Sequence, residues 1–309
     1  MNKIRLRTHF SSNKVEHQLR RLMDCLAQSA KVINYQIRKS IQGTADTMNI
    51  YNEQQQKLDI ISDKIISEDL EEETSFGVCD IASEEQGEIV KLRQDSGRYS
   101  VTVDPLDGSS LIDVNLAIGS IFGIHEGPLD NLRSGRDNLV AAMYVLYGPA
   151  TYLVYTTKEQ GTVHKFILDP RTGAWLLAEE NIKVKDKGKI YAPGGLRSEW
   201  LGGHIAFIDE LEKGGHKLRY SGALVADFNQ ILMKGGGLFS YPALRGKENG
   251  KLRLMFELQP LALIMENAGG LATNGTENIL DLKPVVDQRA PIYIGSKYEV
   301  EMAKNYLKK

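Results

Sequence analysis

The chain has 309 residues, of which 42% are hydrophobic and 25% charged. This composition excludes a collagen, a coiled coil or a disordered tail as the main body. Lys plus Arg number 38 against 40 Asp plus Glu, a formal charge of −2, and so even a balance argues against nucleic acid or a membrane surface as the partner. At about 150 residues per domain the length points to two domains.

Cys25 and Cys79 cannot build a disulfide framework and lack metal-ligand spacing. The first dozen residues hold no apolar core of signal-peptide length, and no apolar run nears the roughly 20 residues that a bilayer span needs. A cytoplasmic protein is the expectation.

In chain order, residues 15–41 predict a long amphipathic helix. Val15, Leu19, Leu22, Met23, Leu26, Val32, Ile33, Ile37 and Ile41 recur mostly at spacings of three and four, and Gly43 offers a stop. Asn49 to Gln56 is polar and reads as a loop. A second helix follows with Leu58, Ile61, Ile65, Ile66 and Leu70 on one face. The period then changes. Val78 to Ala82, Tyr99 to Val103, Ile118 to Ile124, Leu139 to Tyr147 and Tyr152 to Tyr155 are β-branched and aromatic runs bounded by Gly, Pro or Asp. The segment Val184 to Leu201, rich in Lys and Gly, reads as a boundary. Beyond it Ala223 to Met233 and Leu261 to Ala268 predict helices, and Leu238 to Tyr241 and Ile292 to Ile294 predict strands. Two layered α/β domains are expected, spanning 1–185 and 186–309.

The chemistry concentrates where the strand Ser100 to Val103 runs into Asp104-Pro105-Leu106-Asp107-Gly108-Ser109-Ser110. Pro105 removes a donor and should end the strand. Asp104 and Asp107 then share a tight turn, and the small residues after them can turn backbone N–H groups toward an anion. A carboxylate pair beside such a nest suits hard divalent cations bridged to phosphate. Asp and Gly are also plain turn formers, so the motif alone does not decide. Glu84 and Glu85 end another strand with no cation nearby in sequence. That is the pattern of a solvated edge, or of further metal oxygens. Asp59, inside an apolar helical stretch, is similarly ambiguous. Lys251 to Glu257 alternates charged and apolar residues as a half-buried strand does, which would set Lys251, Arg253 and Glu257 on one side.

Taken together, SEE, VDPLDGSS, IGSIFGIH, NLVAAMYVLYGPAT, LRYSG, ALVADF, NGKLRLMFE and IMENAGG resemble the class I fructose-1,6-bisphosphatase family, with its close relatives the sedoheptulose-1,7-bisphosphatases. The resemblance runs from about residue 50 to about residue 296 and keeps the family's motif order. It implies a layered α/β sandwich of the sugar phosphatase type and Mg2+-dependent hydrolysis of a sugar bisphosphate, with two or three Mg2+ ions per subunit or Mn2+ in their place. Glu84, Glu85, Asp104, Asp107 and Glu257 match the family's metal carboxylates, and the Leu106 carbonyl matches its backbone ligand. Gly108, Ser109 and Ser110 match positions around the 1-phosphate. Asp59 and Glu53 match acidic positions that orient or deprotonate the attacking water. Tyr220, Gly222, Ala223 and Leu224 match sugar contacts, and Tyr241, Lys251 and Arg253 match the ring and distal phosphate. Arg219 matches an arginine that reaches a neighbouring subunit's site, which implies a homodimer or homotetramer.

The chain departs from the pattern in places. Leu111 stands where fructose bisphosphatases usually carry Asn, and Tyr191 to Arg197 replaces a YSxNEG stretch. Both changes resemble the sedoheptulose enzymes, and Arg197 could supply the lost phosphate contact. Tyr241-Pro242-Ala243 follows the fructose enzymes. The six-carbon substrate therefore comes first and the seven-carbon one second. An inositol-phosphate phosphatase is disfavoured by the KLRLMFE block, and a non-catalytic sugar-phosphate binder by the intact carboxylate set. Arg98, Tyr99 and Arg136 match part of the AMP site of animal-type enzymes. The phosphate-binding run of that site is replaced by Glu16-His17-Gln18-Leu19-Arg20, so AMP inhibition is expected to be weak or absent; inhibition at micromolar AMP would contradict this. The chain's six histidines, among them His125, His164 and His204, show no paired spacing and read as structural.

Overall fold

A computed structural model describes residues 4–42, 50–72, 76–92 and 97–308. Three helices lead the chain, α1 (Leu6–Ser12), α2 (His17–Gln42) and α3 (Ile50–Glu72). The strands β1 (Val78–Ser83), β2 (Ile89–Lys91), β3 (Tyr99–Asp107) and β4 (Ile118–Glu126) follow. After the one-turn helix α4 (Gly135–Asn138) come β5 (Leu139–Tyr147), β6 (Thr151–Thr157), β7 (Val163–Leu168) and β8 (Trp175–Glu179). The rest alternates. It runs through β9 (Ile190–Pro193), α5 (Gly202–Lys213), β10 (Lys217–Leu218), α6 (Leu224–Met233), β11 (Leu238–Tyr241) and β12 (Leu252–Arg253). It ends with α7 (Gln259–Asn267), β13 (Leu271–Thr273), β14 (Arg289–Ala290), β15 (Ile292–Gly295) and α8 (Lys297–Leu307).

The first eight strands form one sheet in the order β2-β1-β3-β4-β5-β6-β7-β8, parallel only between β1 and β3. Both faces are covered, and β5 shows how. Ala141, Met143, Val145 and Tyr147 pack with the residues of α1, α2 and α3. Their alternates Ala142, Tyr144 and Leu146 pack with α6 and α7, as the two-residue period of a strand requires. The second sheet, β10-β9-β11-β15-β13, sends Ala192, Phe239, Ile292 and Ile294 to that same central helical layer. Its far face, through Tyr191, Leu238 and Tyr293, carries α5 and α8. The result is a five-layer α/β/α/β/α sandwich, the layered α/β class expected from the sequence.

Several local expectations are corrected. The polar run before Leu58 is helix from Ile50, because Glu, Gln and Lys are good helix formers whatever they face; Asn49 lies outside the described residues. Ile61 and Val32 are exposed rather than on the buried faces of their helices. Pro105 does not end β3. The strand runs on to Asp107 across a register break between Asp104, paired with Ile121, and Asp107, paired with Gly119; a proline is tolerated at such a bulge. Val184 to Leu201, read as a boundary, also contains β9, an interior strand paired to β10 and β11. Its glycines serve close packing. A Cβ on Gly188 would come within 2.1 Å of the Gly237 backbone. Finally, Lys251 to Glu257 is not one strand. β12 covers two residues, and Leu254–Leu258 is a π-helical turn leading into α7, a form that recurs at functional sites.

Candidate active site

The β3 bulge re-aims two carboxylates. Asp104 is 4% exposed, and its Oδ1 accepts the Leu106 N–H at 3.0 Å. Asp107 Oδ2 accepts the Val225 N–H at 2.7 Å, at the N-terminus of α6, where the helix dipole favours an anion. The π-turn supplies Glu257, 5% exposed, whose Oε2 accepts the Arg253 N–H. Glu84, at the end of β1, completes the group. Carboxylate oxygens of Glu84, Asp104 and Glu257 all lie within 4.8 Å of one another. Burial pushes the Asp104 and Glu257 carboxyls well up, and the neighbouring charges of Glu84 and Asp107 push both further. Burial likewise raises Asp107 to about 7, against the pull of its bond from Val225.

One cation answers this charge inside the group. Arg253 Nη1 lies 3.3 Å from Glu84 Oε1 and also donates to the Glu84 carbonyl. Glu84 therefore does have a positive partner, brought from a distant part of the chain, and Arg253 engages the carboxylate group rather than joining the residues that line the cleft. Three mutually repelling carboxylates with one guanidinium beside Glu84 form an oxygen-rich donor set suited to a hard divalent cation.

A second acidic group adjoins it. Burial, then the charge on Glu85, raises Asp59 to about 7, while a hydrogen bond from Ser109 pulls it down. Burial also raises Glu85, followed by repulsion from Glu84 and Asp63. Asp63 is 9% exposed, with Oδ2 accepting from Gln86 Nε2 at 2.6 Å. Oδ1 of Asp59 and Oδ1 of Asp63 are both buried without a hydrogen-bond partner. The sequence reading missed Asp63, although its spacing of four from Asp59 on α3 sets both on one helix face. The Glu53 side chain lies outside the described residues.

The first group and Glu85 open into a cleft of about 400 Å³. Its walls include Leu106, Gly108, Ser109, Ser110, Tyr220, Gly222, Tyr241 and Lys251 beside the carboxylates, so the structure brings most of the expected residues together. Gly108 takes φ +79°, and a Cβ there would meet the Ala223 Cβ at 2.5 Å. Ala223 thus buttresses the turn from behind. Gly108→Ala is expected to cost about 1–3 kcal/mol and to lower turnover with it, as read from a urea melt and a rate assay; an unchanged melt would contradict this packing.

Three expected arginines stand apart from the cleft wall. Arg197 is exposed, paired to Asp209 at 2.8 Å and stacked over Trp200. Arg219 is exposed, with Nη1 donating to the Leu218 carbonyl. Arg253 is the third. In their stead the cleft gains Arg289, whose Nη1 donates to the Lys251 carbonyl at 2.8 Å. The sequence reading missed it, because only the pairing of β12 with β14 brings it there. Near the start of α2, Glu16 Oε2 accepts the Leu19 N–H at 2.9 Å and the Tyr99 hydroxyl at 3.1 Å. A carboxylate of the chain itself therefore caps that helix.

The raised carboxyls make a stability prediction for metal-free protein. Asp59 and Asp107 titrate from an ordinary 3.8 to about 7 on folding. Their folded-state protons are an advantage at low pH, and stability falls as pH rises from about 4 through about 7. Mg2+ should restore it near pH 8 by replacing those protons. Melting curves at about pH 5 and about pH 8, with EDTA or Mg2+, test this; a melt in EDTA that ignores pH would contradict it.

Known proteins share this arrangement over the full chain. Residues 2–180 match the family model of the fructose-1-6-bisphosphatase N-terminal domain, and residues 184–308 that of the C-terminal domain. The class 1 fructose-1,6-bisphosphatase of Geotalea uraniireducens is 50% identical over 308 residues, covering 99% of this chain and 96% of its own. That of Sulfurihydrogenibium sp. is 40% identical, covering 94% and 92%. Leishmania major fructose-1,6-bisphosphatase in its apo form superposes with a TM-score of 0.88 at 31% identity, covering all of both chains. With both domain models matched in order, the carboxylates grouped and the sandwich reproduced, this chain belongs to the fructose-1,6-bisphosphatase family.

Proposed function

We propose that the chain hydrolyses the 1-phosphate of fructose 1,6-bisphosphate, yielding fructose 6-phosphate and inorganic phosphate, in the cytoplasm and with Mg2+ (or Mn2+) as the metal. The observation that carries this reading is the single cleft lined both by the carboxylate group and by two exposed cations, Lys251 and Arg289, with Tyr220 and Tyr241. One phosphate meets the first set and the other meets the second.

Glu84, Asp104, Asp107, Glu257 and the Leu106 carbonyl would hold two or three ions, with Glu85 on the water side. Bound Mg2+ supplies charge neutralisation on the phosphoryl oxygens and a lower pKa for water. Asp59 and Glu85 orient the attacking water and accept its proton; an Asp59 carboxyl near 7 is matched to that task at neutral pH. The water oxygen bonds to phosphorus, the bond from phosphorus to the C1 oxygen breaks, and that oxygen takes up a proton. Gly108, Ser109 and Ser110 steady the reacting phosphate, while Gly222 leaves room for the sugar. Lys251, Arg289, Tyr220 and Tyr241 hold the distal phosphate, and that remote binding lines up the reacting one.

Sedoheptulose 1,7-bisphosphate remains the second substrate. Leu111, whose methyls stand near Gly222, favours it, while the ion pair that occupies Arg197 does not. Phosphate release from both bisphosphates and from inositol 1-phosphate, side by side with Asp107→Asn as the blank, tests the order. Preference for the seven-carbon sugar would reverse it, and silence on all three would leave a binding protein. The capped start of α2 supports the expectation that AMP inhibits weakly or not at all.

The same proposal includes two domains meeting near residue 185 and a homodimer or homotetramer in which Arg219 serves a neighbouring cleft. The exposed run Leu218 to Tyr220, with both flanking side chains uncovered, supports the contact. Among the described residues no helix is long and apolar enough to cross a membrane.

A further inference from the structure

Far from the carboxylate cleft in sequence, α1, β7 and the residue just after β8 bring two imidazoles and a carboxylate together. His9 is 1% exposed and His164 3% exposed, and their rings sit edge to face with centroids 4.5 Å apart. Glu180 reaches in from the surface, its side chain half exposed, with Oε1 2.8 Å from His9 Nε2. One donor atom from each of the three lies within 4.8 Å of the others.

The second contacts of both rings are those of metal-bound histidines, which pass their other N–H to a fixed acceptor. His9 Nδ1 is 2.7 Å from the Tyr155 hydroxyl, and Nε2 faces the shared space, with Asn13 Nδ2 3.1 Å from it. His164 Nε2 is 2.9 Å from Thr162 Oγ1. His164 Nδ1 is buried and has no hydrogen-bond partner, an uncommon loss for a buried polar atom.

We propose that His9, His164 and Glu180 form a second metal site, selective for a divalent transition ion of the zinc class and separate from the hydrolytic centre. Two imidazoles with one carboxylate suit Zn2+ or Co2+, whereas Mg2+ takes oxygen-rich sets such as that around Asp104. A tetrahedral zinc site holds its donors about 3.3 Å apart. His9 Nε2 and Glu180 Oε1, 2.8 Å apart without the ion, therefore open by about half an ångström on binding, and the half-exposed Glu180 has room to move and leaves a side open for a water ligand. The ion would pin α1, already joined to β8 through the Arg5 to Leu176 bridge, onto the edge of the large sheet.

The test strips the protein with chelator and adds Zn2+ in excess Mg2+. It counts the zinc retained after desalting and follows the melting temperature. The parent for counting is Asp104→Asn, which weakens the carboxylate centre as a zinc binder. It should keep one equivalent of zinc and melt higher with it. Adding Glu180→Gln, a surface change, should weaken binding at least ~10-fold and remove the thermal shift, and His164→Asn should do the same. Glu180→Gln alone should keep its Mg2+-dependent phosphate release. Equal zinc and equal thermal response in all three proteins would overturn the proposal, as would an Asp104→Asn parent that retains no zinc.

Discussion

Asp104→Asn should cut Mg2+-dependent phosphate release by roughly 10³-fold and at the same time raise the melting temperature of the metal-free protein. The two effects have one cause. Asp104 is a nearly fully buried carboxylate, raised by burial and then by Glu84, Asp107 and Glu257, with its backbone partner Leu106 as the local compensation. Asparagine keeps an oxygen to accept the Leu106 N–H, fills the same volume and removes the repulsion. The gain should be about 1–2 kcal/mol near neutral pH, and it should shrink as pH falls and the native carboxyl protonates. Holding such a cluster together is a stability cost that a bound dication offsets, so wild type in Mg2+ should be the most stable of the four combinations. A variant that is inactive and also less stable without metal would mean that Asp104 is a structural carboxylate.

Removing the cations of the second anion site should act on binding instead. Arg289→Ala and Lys251→Ala should each raise KM for fructose 1,6-bisphosphate by about 10- to 100-fold, the worth of a charge-assisted contact, with a smaller fall in kcat through looser alignment. Neither change should much alter the turnover of fructose 1-phosphate, which lacks the second anion. Because Arg289 also holds the Lys251 carbonyl, the double variant should lose less than the sum of the singles. Equal losses on the two substrates would show that the pair serves the reacting phosphate or the fold.

Much of this was legible in the sequence, for physical reasons. The helix α2 carries a clean period because one face packs on a single core, and β4 and β5 read as long apolar runs because the sheet is covered on both faces. The carboxylates of the β3 bulge stand within four residues of one another, so a short motif holds them. Arg253 and Arg289 behave differently. Their roles come from pairing across the fold, Arg253 with Glu84 and Arg289 through a two-residue ribbon, and a linear reading saw Glu84 and Glu85 as lacking a cation. The glycines of Val184 to Leu201 read as part of a boundary, while Gly188 and Gly194 sit against the Gly237 backbone and the Tyr241 ring. The helices α5 and α8 escaped notice. Neither has a side-chain cap at its start, and their apolar residues serve a small outer core. His9 and His164 meet only through the packing of α1 on the sheet, which no spacing along the chain could reveal.

The most direct measurement is kcat/KM for fructose 1,6-bisphosphate against fructose 1-phosphate in saturating Mg2+, with an EDTA control. A cleft that grips one phosphate with carboxylate-held metal and the other with Lys251 and Arg289 predicts a ratio of about 100 or more and no release in EDTA. A ratio near one, or release that persists in EDTA, would contradict the account.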